Sequence, residues 1–127
     1  MPENDYMEVK NITEKAYEIK KEGDYHEARE ILQEGLEEYP DNKYLKTSLA
    51  DVFIKIKRYK DAEELVEQVL SEDPEDPRAL TIKGDIAFNK RKYRKALDFL
   101  QQAYTQNKKT YLASRIIKTY IKLEKYQ

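Results

Sequence analysis

Side-chain catalysis needs groups that can meet, and this sequence supplies few. Acidic neighbours such as Glu37–Glu38 and Glu63–Glu64 are the nearest thing to an acid–base carboxylate pair. Adjacent residues of a helix do not share a face, so both pairs read as solvated surface. His26 is the sole histidine and cysteine is absent. Two-histidine catalysis, His-rich metal sites, zinc–thiolate and Fe–S sites, thiol nucleophiles and disulfides are thereby excluded. Three glycines cannot build a phosphate-cradling loop, and no GxxxxGK, GxSxG, HExxH or GxGxxG string occurs. The expectation is a protein that is not an enzyme, with no catalytic residue, cofactor or metal. Eleven tyrosines are left as the side chains with recognition chemistry to offer.

The elements that position them follow from composition and period. At 127 residues and 15.2 kDa the chain is one ordinary domain at most. Charged residues make up 39%, hydrophobic ones 39%, and mean hydropathy is -0.97, which suits thin helices with one apolar stripe each. No apolar run could span a bilayer, and the opening MPENDYMEVK is not a secretory leader, so a soluble, cytoplasmic protein is expected. Formal net charge is only -1, yet residues 1–76 hold 22 Asp and Glu against 11 Lys and Arg, and residues 77–127 hold 3 against 13. An acidic front and a basic back imply charge-directed partner choice, or self-association by opposite ends.

Three strings repeat: GDYHEA at 23–28, KRYKDA at 57–62 and RKYRKA at 91–96. Tyr25, Tyr59 and Tyr93 stand 34 residues apart, as do Ala28, Ala62 and Ala96. Nine residues before each tyrosine comes a small residue: Ala16, Ala50 and Gly84. Leu32, Val66 and Leu100 share a phase, and Pro40 and Pro74 repeat the interval once. Small residues at two points of a repeat let paired helices approach closely. Leu45, Leu49, Val52, Phe53 and Ile56 form one helical stripe. Asp41 reads as an N-cap after Pro40, and Asp76–Pro77 as a cap followed by a first-turn proline. Gly23 can end a helix, and Asp24 with Glu27 can form a capping box. Helices are expected near 8–22, 25–38, 42–56, 59–71, 76–90, 93–106 and 110–125, after a flexible stretch at 1–7.

This pattern resembles the tetratricopeptide repeat (TPR) family of helix–turn–helix units. The resemblance rests on the small residues, the alanines, the large residues of the second helices and the closing prolines named above, and covers residues 9–126. Departures are Lys46 where Ile12 and Leu80 stand in the other copies, and Lys15 and Lys83 where the second copy keeps Leu49. The implied fold is an all-α right-handed solenoid with units at about 9–42, 43–76 and 77–109 and a terminal helix at 110–126. In the family, one side of each first helix lines a concave groove where peptides bind. Carried over, that side here is Lys10, Thr13, Tyr17, Lys20 and Lys21, then Tyr44, Thr47, Asp51, Ile54 and Lys55. The third unit adds Arg78, Thr81, Asp85, Phe88 and Asn89, and the last helix Tyr111, Ser114, Lys118, Ile121 and Lys122. Tyr17, Tyr44 and Phe88 would be apolar anchors, Arg78 and Lys118 would meet carboxylates, and Asp51 and Asp85 a basic or amide group. Chaperone-adaptor members clamp a C-terminal carboxylate with Lys, Asn and Arg. The matching positions are Thr13, Tyr17, Ser48, Arg78 and Ile82, and only Arg78 keeps that character, so such a clamp is not expected.

The terminal helix carries two readings. It is a capping helix, which Ile117 favours by being too large for a close crossing, or the first helix of an interrupted further unit. The second leans on Leu112 and Leu123, whose phase in the second unit (Leu45, Ile56) faces a second helix. A homodimer through 110–126 is one consequence. The expected function is a protein-interaction scaffold binding a peptide or partner segment, with the basic third unit favouring acidic partners. Structural self-assembly is the alternative. Nucleic acid is disfavoured because the acidic front repels phosphate and no nucleic-acid motif accompanies the basic residues.

Overall fold

The computed structural model describes residues 3–126, which form seven α-helices and no strand. They are α1 Glu3–Lys21, α2 Tyr25–Glu38, α3 Lys43–Lys55, α4 Tyr59–Glu72, α5 Pro77–Asn89, α6 Tyr93–Gln106 and α7 Thr110–Lys125. Six of the seven match expectation to within a residue or so. The first does not: α1 begins at Glu3, so residues 3–7 are helical. Asp5 lies in the first turn, where the positive end of a helix dipole favours carboxylates. The Tyr39 hydroxyl also donates to Glu8 at 2.7 Å, tying this first stretch to the α2–α3 turn.

Three of the turns are built alike. Gly23, Lys57 and Arg91 have φ of 91°, 63° and 62°. Around each, two backbone bonds close the helix end: Gly23 N–H to Lys20 C=O with Asp24 N–H to Ile19 C=O, and the same pair at 57/58 and 91/92. This is the Schellman stop, which glycine suits best. The following starts differ. Asp24 accepts from the Glu27 amide at 3.2 Å, the forward half of a capping box, while its own amide closes the preceding helix. Asp76 accepts from the Ala79 amide at 3.0 Å ahead of Pro77. The cap of α3 is Asn42, which accepts from the Leu45 amide at 3.0 Å, rather than Asp41. Asn42 is tucked inside and Asp41 is exposed, because the Asn42 amide bonds back to the Tyr39 carbonyl and turns its side chain onto the helix. Lys92 and Lys109 head α6 and α7 without a side-chain cap bond.

The chain divides into two compact halves, Met1–Leu65 and Val66–Gln127, with the boundary inside α4. In the first, α1 packs on α2 and α3, and α2 on α3. Gly35 lies where any Cβ would come within 3.2 Å of Ile12 and Leu45, so its smallness lets α2 sit between its neighbours. In the second half α6 packs on α5 and α7. Leu80, Leu100, Ala103 and Leu112 form its centre, edged by Leu70, Phe99, Tyr104 and Ile116. A Cβ on Gly84 would meet Leu100 at 2.8 Å, so α5 and α6 cross closer than an alanine permits. All six small residues of the repeat are buried, as close helix pairing requires. Leu112 is buried as well, contrary to the expectation that it would face an absent helix. It is α7's inner contact with α5 and α6, Leu123 is half-buried, and the exposed large aliphatic residues of that helix are Ile117 and Ile121 instead.

Candidate peptide-binding faces

Each half presents the first-helix residues in its own way. On α1, Lys10 is exposed and Thr13 half-exposed, its hydroxyl donating to the Lys10 carbonyl at 3.0 Å. Tyr17 is exposed, and the Lys20 ammonium lies 5.1 Å from its ring centre. The same ammonium donates to Asp51 Oδ2 on α3. Tyr44 is exposed at the start of α3, with the Lys43 ammonium 5.6 Å from its ring centre.

The second half repeats the motif with other residues. Asp85 on α5 accepts from Arg115 Nη1 on α7 at 3.0 Å, and the Arg115 guanidinium lies 5.2 Å from the Tyr111 ring centre. Tyr111, Arg78 and Lys118 are exposed. Phe88 is half-buried, meeting Tyr93 edge-on at 5.4 Å between ring centres, and Tyr93 stacks on Tyr126 at 6.2 Å. In both halves, then, one cation bridges an exposed tyrosine and a carboxylate of a neighbouring first helix. Cation–π contact and an ion pair together hold the ring and the charge in fixed places.

Three expected contact residues leave the accessible set. Thr47 and Thr81 are buried, and their hydroxyls donate to the Lys43 and Pro77 carbonyls one turn back, at 2.9 and 2.7 Å. A threonine that returns its hydroxyl to its own helix buries at little polar cost, so position on the face did not imply exposure. Ile54 is buried too. Asp51 and Asp85 lie on their helices as expected but already engaged, and Arg115, absent from the expected face, is the residue engaging Asp85. The pairs are separated by 31 and 30 residues. A search for opposite charges about one repeat apart would have found both. Among the described residues no group of His, Asp or Glu could hold a metal, and no helix is long and apolar enough to cross a membrane.

Charge divides between the halves: residues 1–65 hold 17 Asp and Glu against 11 Lys and Arg, and residues 66–127 hold 8 against 13. In the first half Glu8, Glu38 and Asp5 crowd Tyr39. The Glu8 hydrogen bond above all, and then partial desolvation and the surrounding carboxylates, push its phenol above the ordinary value. Asp24, by hydrogen bond and by charge, likewise raises the Glu27 carboxyl.

The tetratricopeptide repeat family model matches residues 20–86, more than half the sequence. The chain belongs to the TPR family. A second model, described as anaphase-promoting complex, cyclosome, subunit 3, matches residues 55–127. Comparison with curated proteins gave no sequence match. Among solved structures, the first TPR domain of human RPAP3 is 20% identical with a TM-score of 0.79, covering 90% of this chain and 91% of that one. The first TPR of Spaghetti (RPAP3) bound to the HSP90 peptide SRMEEVD is 20% identical with a TM-score of 0.75, covering 89% and 90%. The TPR2B domain of yeast Sti1, in complex with an Hsp70 peptide, is 19% identical with a TM-score of 0.76, covering 95% and 99%. These likenesses establish the TPR fold.

Proposed function

We propose that this TPR protein is a non-enzymatic interaction module of the cytoplasm that binds a peptide or partner segment on its first-helix faces. The observation that carries the reading is the twice-built cluster of exposed tyrosine, bridging cation and carboxylate: Tyr17–Lys20–Asp51 and Tyr111–Arg115–Asp85. Exposed aromatic rings held by their neighbours offer contact area at little ordering cost, the quality of interface anchors. Peptide binding by the RPAP3 and Sti1 domains supports a peptide as the ligand class. The basic excess of residues 66–127 supports an acidic one. A carboxylate clamp is not the mode proposed: Ile82 is buried, and Thr13 and Tyr17 lack the charge a clamp uses.

The test is a peptide array graded from acidic to basic. Acidic peptides should bind best, and Tyr17→Ala with Tyr111→Ala should weaken them by about tenfold or more while helicity by circular dichroism is unchanged. Undiminished binding by that variant, or no preference among peptide classes, overturns the reading. A second reading, self-association through α7, is favoured by its exposed Ile117 and Ile121.

A further inference from the structure

The α7 surface has a counterpart within the chain. Leu80, Gly84 and Phe88 on α5 lie 33 residues before Ala113, Ile117 and Ile121 on α7. On α5 that ridge meets α6: Gly84 sits against Leu100, Leu80 shares the core with it, and Phe88 touches Tyr93. On α7 the same ridge is open, with Ile117 60% and Ile121 59% exposed. Two large β-branched residues one turn apart, in the phase used elsewhere for helix packing, make a seat for another helix.

Charge decides which helix. Arg115, Lys118, Lys122 and Lys125 stand against the single Glu124 on α7. Two copies of α7 laid on each other would oppose lysine to lysine, which disfavours a symmetric pair. The first half has the complementary charge, 17 Asp and Glu against 11 Lys and Arg over residues 1–65. Its α1 offers an open apolar side chain: Met7 is 48% exposed, with Glu14 and Glu18 following it on the solvent side and Lys10 and Lys21 beside them. Among the described residues no ion pair engages Glu14, Glu18 or Lys118. The spacings agree as well. Glu14 is about 10 Å along α1 from Met7, and Lys125 about 12 Å along α7 from Ile117.

We infer that α7 of one copy seats on α1 of a second copy, Met7 over Ile117 and Ile121 with Glu14 and Glu18 toward the lysines. The inference rests on the self-association reading and specifies its partner surface. The contact is heterologous, so the copy that gives α7 keeps its α1 free, and the copy that gives α1 keeps its α7 free, to extend the assembly.

Two variants, each damaged on one surface, test it by sedimentation across micromolar to millimolar protein. Ile117→Glu/Ile121→Glu spoils α7 and leaves α1 intact; Met7→Lys/Glu14→Lys/Glu18→Lys does the reverse. All five side chains are exposed, and circular dichroism checks that both variants remain folded. The wild-type protein should grow past the dimer with concentration, and both variants should be monomeric alone. An equimolar mixture of the two should form a dimer and nothing larger, because the two intact surfaces pair once. Raised salt should weaken the wild-type assembly. A wild-type protein that stays monomeric overturns both the inference and the self-association reading. Self-association of the α1 variant by itself overturns the α7-on-α1 contact and leaves association through α7 standing.

Discussion

Lys57 and Arg91 occupy the same left-handed turn position as Gly23, with φ of 63° and 62°. A side chain there forces Cβ toward the following carbonyl, at a cost of about 1–2 kcal/mol. Replacing either residue with glycine removes that clash but adds unfolded-state freedom, offsetting about 0.5–1 kcal/mol. Each substitution, Lys57→Gly and Arg91→Gly, should therefore stabilise by about 0.7 kcal/mol net. For a chain of this length that is a rise in Tm of about 2–4 °C, read from thermal unfolding followed by circular dichroism.

A second effect points the same way and has to be separated. Arg91 lies in the run Lys90, Arg91, Lys92, Arg94 and Lys95, so removing its charge relieves repulsion whatever the new residue is. Arg91→Ala makes the distinction, since alanine loses the charge and keeps the Cβ. Glycine should exceed alanine by about the same 0.7 kcal/mol if backbone conformation is the cause. Equal Tm values for the two variants, or a glycine variant less stable than the wild-type protein, would refute the reasoning.

Two further outcomes are expected. Gly84→Ala should destabilise by about 1 kcal/mol, because overpacking costs about 1–3 and alanine returns about 1 in helix propensity. Its Cβ would meet Leu100 at 2.8 Å, and Leu100 is itself buried; a Tm above that of the wild-type protein would show that the crossing has slack. The Tyr39 phenol, held above the ordinary value of 10 chiefly by Glu8, should ionise at higher pH than an ordinary tyrosine. With the folded-state value raised, its contribution to stability is full below the ordinary tyrosine range and is lost as pH climbs through the raised value. Alkaline difference absorbance against Tyr39→Phe reads this, and Glu8→Gln should bring the ionisation down; no change on that substitution would remove Glu8 as the cause.

Much of the fold is written in residue type and period alone. The six small residues, Leu32, Val66 and Leu100, the stop at Gly23 and the closing Pro40 and Pro74 fix where helices pair and end, because close crossings and turns admit few alternatives. Other features needed the third dimension. The polar stretch before residue 8 looked like a tail, since the Tyr39–Glu8 bond that helps hold it reaches across 31 residues. Asn42 displaced Asp41 as cap through a turn bond that neighbouring candidates do not advertise. At Lys57 and Arg91 the left-handed stop is concealed because glycine, its usual sign, is absent. The face residues were the least legible. Thr47 and Thr81 share a phase with exposed neighbours, yet their hydroxyls bond to their own helix and allow burial. Leu112 was misplaced because its counterpart Leu45 packs against Gly35 of the preceding α2, so on α7 the same position is covered by the preceding α6 rather than by a following helix.

The engaged carboxylates change how a ligand would be read on the proposed faces. Had Asp51 and Asp85 been free, each face would attract a basic side chain. Paired as they are, each presents a neutralised acid and a cation already lying on a ring. The two cations then differ in what they retain. An ammonium is a compact charge, and Lys20 directs it at Asp51, so a ligand carboxylate there must displace Asp51 to gain comparable contact. A guanidinium carries five N–H donors in a planar fork, and Arg115 donates to Asp85 from Nη1, so it can hold Asp85 and a ligand carboxylate together while stacked on Tyr111. On the proposed reading, selection for an acidic residue would therefore fall to the Arg115 cluster, and the Lys20 cluster would suit neutral or aromatic ligand side chains meeting Tyr17 and Tyr44.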